Sequence, residues 1–225
     1  RQGAVYFFVN NGSGTWTANA TAKTFSPDAD NGDQFGSAVA INQDGSFVLV
    51  GAPMDDAAGT NAGAAYAFAF GSAAGASKLL PTVDSAGESM AGDLFGTSVA
   101  FDQNMFVIGA PRDDHSGKVD AGSVYVVSTD GTWSTATGQI AKLKKSALSV
   151  GNSDYFGTSV DVDSFNGRNS VVIAIGAPRD DIAGEDAGAV YVFRSDTMVA
   201  DASDGGGLTS LVQQGTAVRA YDAVD

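Results

Sequence analysis

Apolar residues along this chain fall into short segments of roughly four to eight positions, alternating or continuous, separated by clusters of Gly, Asp, Asn and Ser. Residues 37–41, 97–101 and 158–162 alternate, as half-buried strands do. The runs ending in Gly51-Ala52-Pro53, Gly109-Ala110-Pro111 and Gly176-Ala177-Pro178 are continuously apolar, as in buried strands whose last residue enters a turn. A third set, 63–68, 122–127 and 188–193, starts on glycine and carries Tyr66, Tyr125 and Tyr191 at the same place. No stretch shows a helical period, so the pattern predicts an all-β chain.

The segments recur. Phe35-Gly36, Phe95-Gly96 and Phe156-Gly157 lie about 60 residues apart, with Asp33, Asp93 and Asp154 two positions before each Phe. An acidic turn follows each Gly-Ala-Pro: Asp55-Asp56, Asp113-Asp114 and Asp180-Asp181. A less regular fourth strand is marked by Gly14-Thr15-Trp16 with Lys23, by Lys78-Leu79-Leu80, and by Gly131-Thr132-Trp133 with Lys142 and Leu143. Both ends carry fragments of the same unit, since residues 3–8 match the third strand and Gly215-Thr216-Ala217-Val218 matches the first. The expected boundaries are 1–32 for the end of a blade, 33–92, 93–153 and 154–212 for three complete blades, and 213–225 for the start of a next. Four antiparallel strands in about 60 residues describe one blade of a β-propeller.

Phe-Gly, Gly-Ala-Pro and then Gly-Ala-Val-Tyr-Val-Phe (188–193) resemble the FG-GAP repeat family, best known from the propeller of integrin α subunits. The resemblance covers nearly the whole chain. It implies a propeller commonly of seven blades, which at this period needs about 420 residues. These residues are then a segment of a larger propeller, or a subunit completed by another copy. Arg1 in place of an initiator Met reads the same way, as a processed chain or a piece of a longer one.

Charge narrows the partners. Lys and Arg number 12 against 26 Asp and Glu, for a net charge of −14. Scattered bases among that many acids disfavour nucleic acid and anionic membrane surfaces. The longest apolar run, near 171–177, falls far short of the roughly 18 residues a membrane-spanning helix needs. With no cysteine, disulfides, thiol catalysis and Cys-ligated zinc are removed together, although the compartment is not thereby fixed.

Strand one runs away from each Phe-Gly and strand two returns, so the acidic turns should sit at the end where strand one began. Asp33 with Asp55 and Asp56, Asp93 with Asp113 and Asp114, and Asp154 with Asp180 and Asp181 are expected to ring one face. Clustered carboxylates are what Ca²⁺ wants, and like charges in pairs repel unless neutralised. Turn chemistry is the other reading, because Asp caps nearby backbone N–H groups and a repeat reproduces it. On the opposite face the resemblance implies a Ca²⁺ loop of the form D-x-D/N-x-D-G-x-x-D between strands one and two. Asn42-Gln43-Asp44-Gly45 and Asp102-Gln103-Asn104 look like simple hairpin turns instead. Only the stretch with Asp161, Asp163, Asn166 and Asn169 has the length and oxygen count, in a degenerate form with Phe165 at a ligand position.

The repeated Phe and Tyr residues are expected to pack between blades. Arg112 and Arg179 are expected to pair with neighbouring aspartates, and His115 to be a solvated turn residue. With one histidine, no cysteine and no nucleophile elbow, catalysis has no constellation to rest on. Asn11-Gly12-Ser13 and Asn19-Ala20-Thr21 are N-glycosylation sequons, and the Asp-, Ser- and Gly-rich stretch 195–207 reads as a long exposed connection. Two functions remain in view. One is a non-enzymatic extracellular or cell-surface adhesion module that binds a protein or glycan, with Ca²⁺ stiffening its loops. The other is a structural subunit of an extracellular fibre or appendage, its unfinished blades completed by further copies of itself.

Overall fold

The computed structural model describes residues 2–28, 30–71, 75–82, 89–102, 105–129, 136–145, 150–165, 170–195, 212–213 and 218–219. All regular structure within them is β. Strands β1 (Val5–Asn10) and β2 (Trp16–Thr24) form a hairpin, and β3 (Ala38–Ile41), β4 (Phe47–Ala52), β5 (Ala64–Ala69) and β6 (Ser77–Leu79) form a sheet in that order. The next blade repeats it with β7 (Ser98–Asp102), β8 (Met105–Ala110), β9 (Ser123–Thr129) and β10 (Ala136–Leu143). The last has β11 (Ser159–Phe165), β12 (Ser170–Ala177) and β13 (Ala189–Ser195), with β14 (Val212–Gln213) and β15 (Val218–Arg219) both on the free edge of β13. We call these the first, second and third blades; the β1–β2 hairpin corresponds to strands three and four of a blade before them.

The central strands are apolar on both faces because each sheet is sandwiched. One core cluster joins Val5 and Phe7 of the hairpin to Phe35, Val50, Tyr66 and Phe68 of the first blade. A second joins Leu49, Ala65 and Ala67 to Phe95, Phe106, Ile108 and Tyr125, and a third joins Met105, Val107, Val124 and Val126 to Phe156, Ile173, Ile175 and Tyr191. Strands β3, β7 and β11 lie side by side, which makes strand one the inner edge of each blade. The repeat aromatics pair within each blade, Phe35–Tyr66, Phe95–Tyr125 and Phe156–Tyr191 being edge-to-face with centroids 5.5, 5.0 and 5.4 Å apart, and pack against the blade before, as Phe95 and Tyr125 do with Leu49, Ala65 and Ala67.

Each Phe-Gly is a hook onto the preceding blade. The Phe95 N–H donates to the Ala62 carbonyl at 2.9 Å and the Phe156 N–H to Ala121 at 3.1 Å. Leu94 and Tyr155 just before them take left-handed φ of 57° and 53°, as does Gln34 at 59°, and the glycines after them continue at positive φ. A bulky residue in that region costs about 1 kcal/mol or more, so the hook is held by its surroundings. The Gly-Ala-Pro glycines have a different cause. A Cβ on Gly51 would stand 1.9 Å from the Gly96 carbonyl oxygen, and one on Gly109 would stand 2.0 Å from that of Gly157.

Two expectations change. Residues near Val218 do not begin a next blade: Val218 and Arg219 pair with Val190 and Ala189, as an outer strand of the third blade. The open edge of β13 supplies the hydrogen-bonding groups that capture them. The stretch from Asp161 to Phe165 is not a loop but ladder, each residue paired with β12 from Ala174 to Ser170. Of the fourth-strand markers, Gly131-Thr132-Trp133 lies outside the described residues, as do 103–104 and nearly all of the connection 195–207.

Candidate functional site on the acidic-turn face

Backbone bonds bring the acidic residues to one end of each blade. The Met54 N–H donates to the Asp33 carbonyl at 3.2 Å, and Arg112 N–H to that of Asp93 at 3.3 Å. Asp33, Asp93 and Asp154 are buried there, with Asp33 Oδ2 accepting the Asp30 N–H at 2.8 Å.

The two aspartates of each turn have different fates. The first, Asp55, Asp113 or Asp180, is buried. Its carboxylate meets the repeat tyrosine and a lysine: Asp113 Oδ2 accepts from Tyr125 at 2.9 Å and from Lys142 Nζ at 2.6 Å. Asp55 Oδ2 lies 2.6 Å from the Tyr66 hydroxyl and 2.9 Å from Lys78 Nζ. Asp180 Oδ2 accepts from Tyr191 and, at 2.6 Å, from Lys145 Nζ. Each ammonium also stands over its tyrosine ring, 5.1 to 5.5 Å from the centroid. The second aspartate is exposed and caps the turn, with Asp56, Asp114 and Asp181 accepting the N–H of Asn61, Asp120 and Asp186 at 2.7, 2.8 and 2.8 Å.

Sequence reasoning saw these carboxylates and not their cations. A signal was present, because cross-strand register pairs Tyr6 with Lys23, Tyr66 with Lys78 and Tyr125 with Lys142. The third blade breaks the rule. No lysine follows Lys145 in the sequence, and the ammonium comes instead from Lys145, in the segment leading from β10 into that blade. Among the described residues no three His, Asp or Glu side chains converge as a metal ion would require. At Asp55, Asp113 and Asp180 the neutralising charge is an ammonium, so these buried carboxylates do not fit Ca²⁺.

Electrostatics follow from the same contacts. Partial burial pushes the Asp28 carboxyl up, but hydrogen bonds from Lys78, Tyr66 and Ser26 outweigh it and bring it from the ordinary 3.8 down to about 2. Burial pushes Asp180 up as well, and Lys145, Tyr191 and the Ile182 N–H outweigh it to hold the carboxyl below its ordinary value. A carboxylate depressed in the folded state adds stability that is complete above its unfolded value and lost as pH falls through the folded one. The urea midpoint should therefore fall between pH 4 and pH 2, and Asp28→Asn should make that fall shallower. Asp28 is half exposed, so its share is below about 1 kcal/mol. An identical acid profile in the variant would exclude Asp28 as a contributor.

A family model described as the FG-GAP repeat matches residues 18–68, 85–127 and 138–193, well over half of the chain. The chain belongs to the FG-GAP repeat family. A search of curated proteins finds no match.

Around the FG-GAP landmarks the remaining candidates separate. Arg112 and Arg179, which follow the prolines, converge on one ring: their guanidinium carbons stand 6.0 and 5.1 Å from the Tyr155 centroid. Among the described residues the expected aspartate pairing is seen at Arg179, whose Nε is 3.9 Å from Asp186 with both side chains more than half exposed. His115 is buried rather than solvated, with Nε2 2.9 Å from the Gly122 carbonyl and Nδ1 3.2 Å from Ser116 Oγ. It buttresses the turn leading into β9. Asp161 and Asp163 are exposed on one face of β11, while Asn166 and Asn169 lie outside the described residues. The turn at Asn42 is the simple hairpin expected, with the Gly45 N–H on the Asn42 carbonyl at 3.0 Å. Asn11 is exposed at the tip of the β1–β2 hairpin, its Oδ1 accepting the Ser13 N–H at 3.0 Å, and Asn19 lies within β2.

Proposed function

We propose that this chain is a non-enzymatic binding module of an extracellular or cell-surface protein, holding a protein or glycan partner on its acidic-turn face. The observation that carries this reading is that three exposed aspartates, Asp56, Asp114 and Asp181, recur at blade spacing, and that Arg112 and Arg179, two residues before Asp114 and Asp181, converge on Tyr155. Their buried companions are consumed in holding the blades, whereas these aspartates and both arginines are exposed. Arg and Tyr are the side chains most often found at binding hot spots. The wild-type chain and an Arg112→Ala/Arg179→Ala variant should be compared on glycan and matrix-protein arrays. A bound spot that weakens about tenfold in the variant, about 1.4 kcal/mol, is the expected result. Hits that the double variant retains in full would place the binding face elsewhere.

Ca²⁺ belongs to this reading at one place only, the face of β11 that carries Asp161 and Asp163. Two carboxylates on one strand face give a hard cation oxygen ligands, with carbonyls and water to make up the rest. Added Ca²⁺ should raise the melting temperature of the wild type and leave that of Asp161→Asn/Asp163→Asn unmoved. A wild-type melting curve indifferent to Ca²⁺ and to chelator would remove the metal.

A second reading, a structural subunit whose blades are completed between copies, is favoured by two open surfaces. Val5, Phe7, Val39, Ile41 and Phe70 line a cleft of about 210 Å³ where strands one and two would stand beside the β1–β2 hairpin. There Tyr6 and Lys23 keep the pairing of the other blades without an aspartate turn of their own blade. On the third blade, Ser159 and Gly176 sit opposite each other as Ser98 and Gly109 do, and Ser98 Oγ donates to the Gly157 carbonyl at 2.7 Å. Light scattering separates the readings: discrete particles support the binding module, and open-ended polymers support the subunit.

A further inference from the structure

The third blade holds a lysine with two aspartates at full burial. Lys145 Nζ lies 2.6 Å from Asp154 Oδ2 and 2.6 Å from Asp180 Oδ2, with side chains 0%, 1% and 1% exposed. One ammonium thus serves two carboxylates that water does not reach. In the second blade Lys142 holds the buried Asp113 at 2.6 Å, and in the first Lys78 holds Asp28 and Asp55 at a site open to solvent at Asp28.

The two carboxylates are also unequally held. Asp180 is fully supported: Oδ1 accepts the Ile182 N–H at 2.9 Å, and Oδ2 accepts from Tyr191 as well as Lys145. Asp154 accepts from Lys145 and the Gly151 N–H on Oδ2, while its buried Oδ1 has no hydrogen-bond partner among the described residues. The backbone presses on that oxygen, since a Cβ at Gly151 would lie 2.6 Å from it. Phe156 and Tyr191 close the site with apolar surface. A buried ion pair is expensive to keep desolvated, and a carboxylate oxygen with no donor is the poorest part of it.

We propose that Lys145 and Asp154 condense to an isopeptide bond, with Asp180 as the catalytic base. Proton transfer from the ammonium to Asp154 leaves an amine and a carboxylic acid. Nζ attacks Cγ of Asp154 and forms the N–C bond, and Asp180 takes a proton from the attacking nitrogen. Asp180 then returns that proton to Oδ2, which already carries the proton from the ammonium; the Cγ–Oδ2 bond breaks, water leaves, and Oδ1 becomes the amide carbonyl oxygen. One ammonium and one carboxylate become one amide and one water, Asp180 ends as it began, and no oxidant or other reactant is needed. The positions match what general base catalysis requires, a nucleophile in hydrogen-bond reach of both electrophile and base in a dry site. The bond would tie the segment leaving the second blade to the loop that opens the third.

The test is the mass of the intact, denatured chain. A value lower than the sequence mass by one water is expected, with trypsin unable to cut after Lys145 and fragmentation showing a closed loop between residues 145 and 154. Asp180→Asn and Lys145→Arg should each restore the full mass. The Asp180→Asn variant keeps both reacting groups, so it reports on the base if folding is retained by circular dichroism. A native chain at full sequence mass overturns the proposal whatever the variants do. Loss of water with normal cleavage after Lys145 also overturns it, because the dehydration then lies elsewhere. A branched peptide joining Lys145 to Asp180 would overturn the assignment of Asp154 as the reacting carboxyl.

Discussion

Gly109→Ala is expected to destabilise the protein by about 3 kcal/mol, in the upper range for overpacking. Its new Cβ would meet the Gly157 carbonyl oxygen at 2.0 Å. That oxygen is main chain, fixed by the hook that joins the third blade to the second, so it has no rotamer to escape into. Gly51→Ala should cost a similar amount, because its Cβ would meet the Gly96 oxygen at 1.9 Å. Gly176→Ala should cost less than about 1 kcal/mol in an isolated chain. The near atom there is Ser159 Oγ at 2.3 Å, the end of a side chain that can turn away. Urea unfolding of the three variants checks the order. If Gly176→Ala proves as costly as Gly109→Ala, another Phe-Gly carbonyl sits on the third blade in the assembled protein; if Gly109→Ala is harmless, close approach of blades is not why these glycines recur.

Lys142→Met is the other change with a large effect, about 3 to 5 kcal/mol, because it leaves Asp113 as a buried charge without its cation. Lys142 and Asp113 are 5% and 1% exposed in their side chains, so water cannot substitute for the ammonium. Lys78→Met removes the equivalent cation in the first blade, where Asp55 is 3% exposed but Lys78 is 24% exposed and water can reach the site, and should cost less, about 1 to 2 kcal/mol. Adding Asp113→Asn to Lys142→Met should recover much of the loss, since the charge itself is then gone. Equal losses at Lys142 and Lys78, or no recovery in the double variant, would mean that burial does not set the strength of these pairs. The comparison bears on the acidic repeats generally: it asks whether their first aspartates exist to hold blades together.

Much of the architecture was legible because an FG-GAP blade is a local object. Phe35, Phe95 and Phe156, the Gly-Ala-Pro runs and the three tyrosines repeat at nearly constant spacing, and each performs the same packing task against its own neighbours. The cations were harder to see. Lys78 and Lys142 come from the least regular strand, and Lys145 crosses from the segment before its blade, so no fixed spacing links them to Asp55, Asp113 and Asp180. His115 reads as a polar turn residue until the Gly122 carbonyl is placed beside its ring. Arg112 and Arg179 carry many aspartates nearby in sequence, yet both turn to Tyr155, which belongs to the loop that starts the third blade.

The sequence by itself determined that the chain is all β and which faces of each strand are apolar, because alternation and turn residues act over a few positions of backbone. Tertiary structure decided what the polar residues do. Whether a carboxylate is capped by a backbone N–H, neutralised by an ammonium or left in water depends on groups that arrive from other strands and from the next blade. In a buried site the cost of an unpaired charge is several kcal/mol, enough to recruit Lys145 from outside its blade once the third sheet has no lysine to offer. The same burial that makes that recruitment necessary leaves one ammonium between two aspartates, and with them the chemistry that the chain's mass will test.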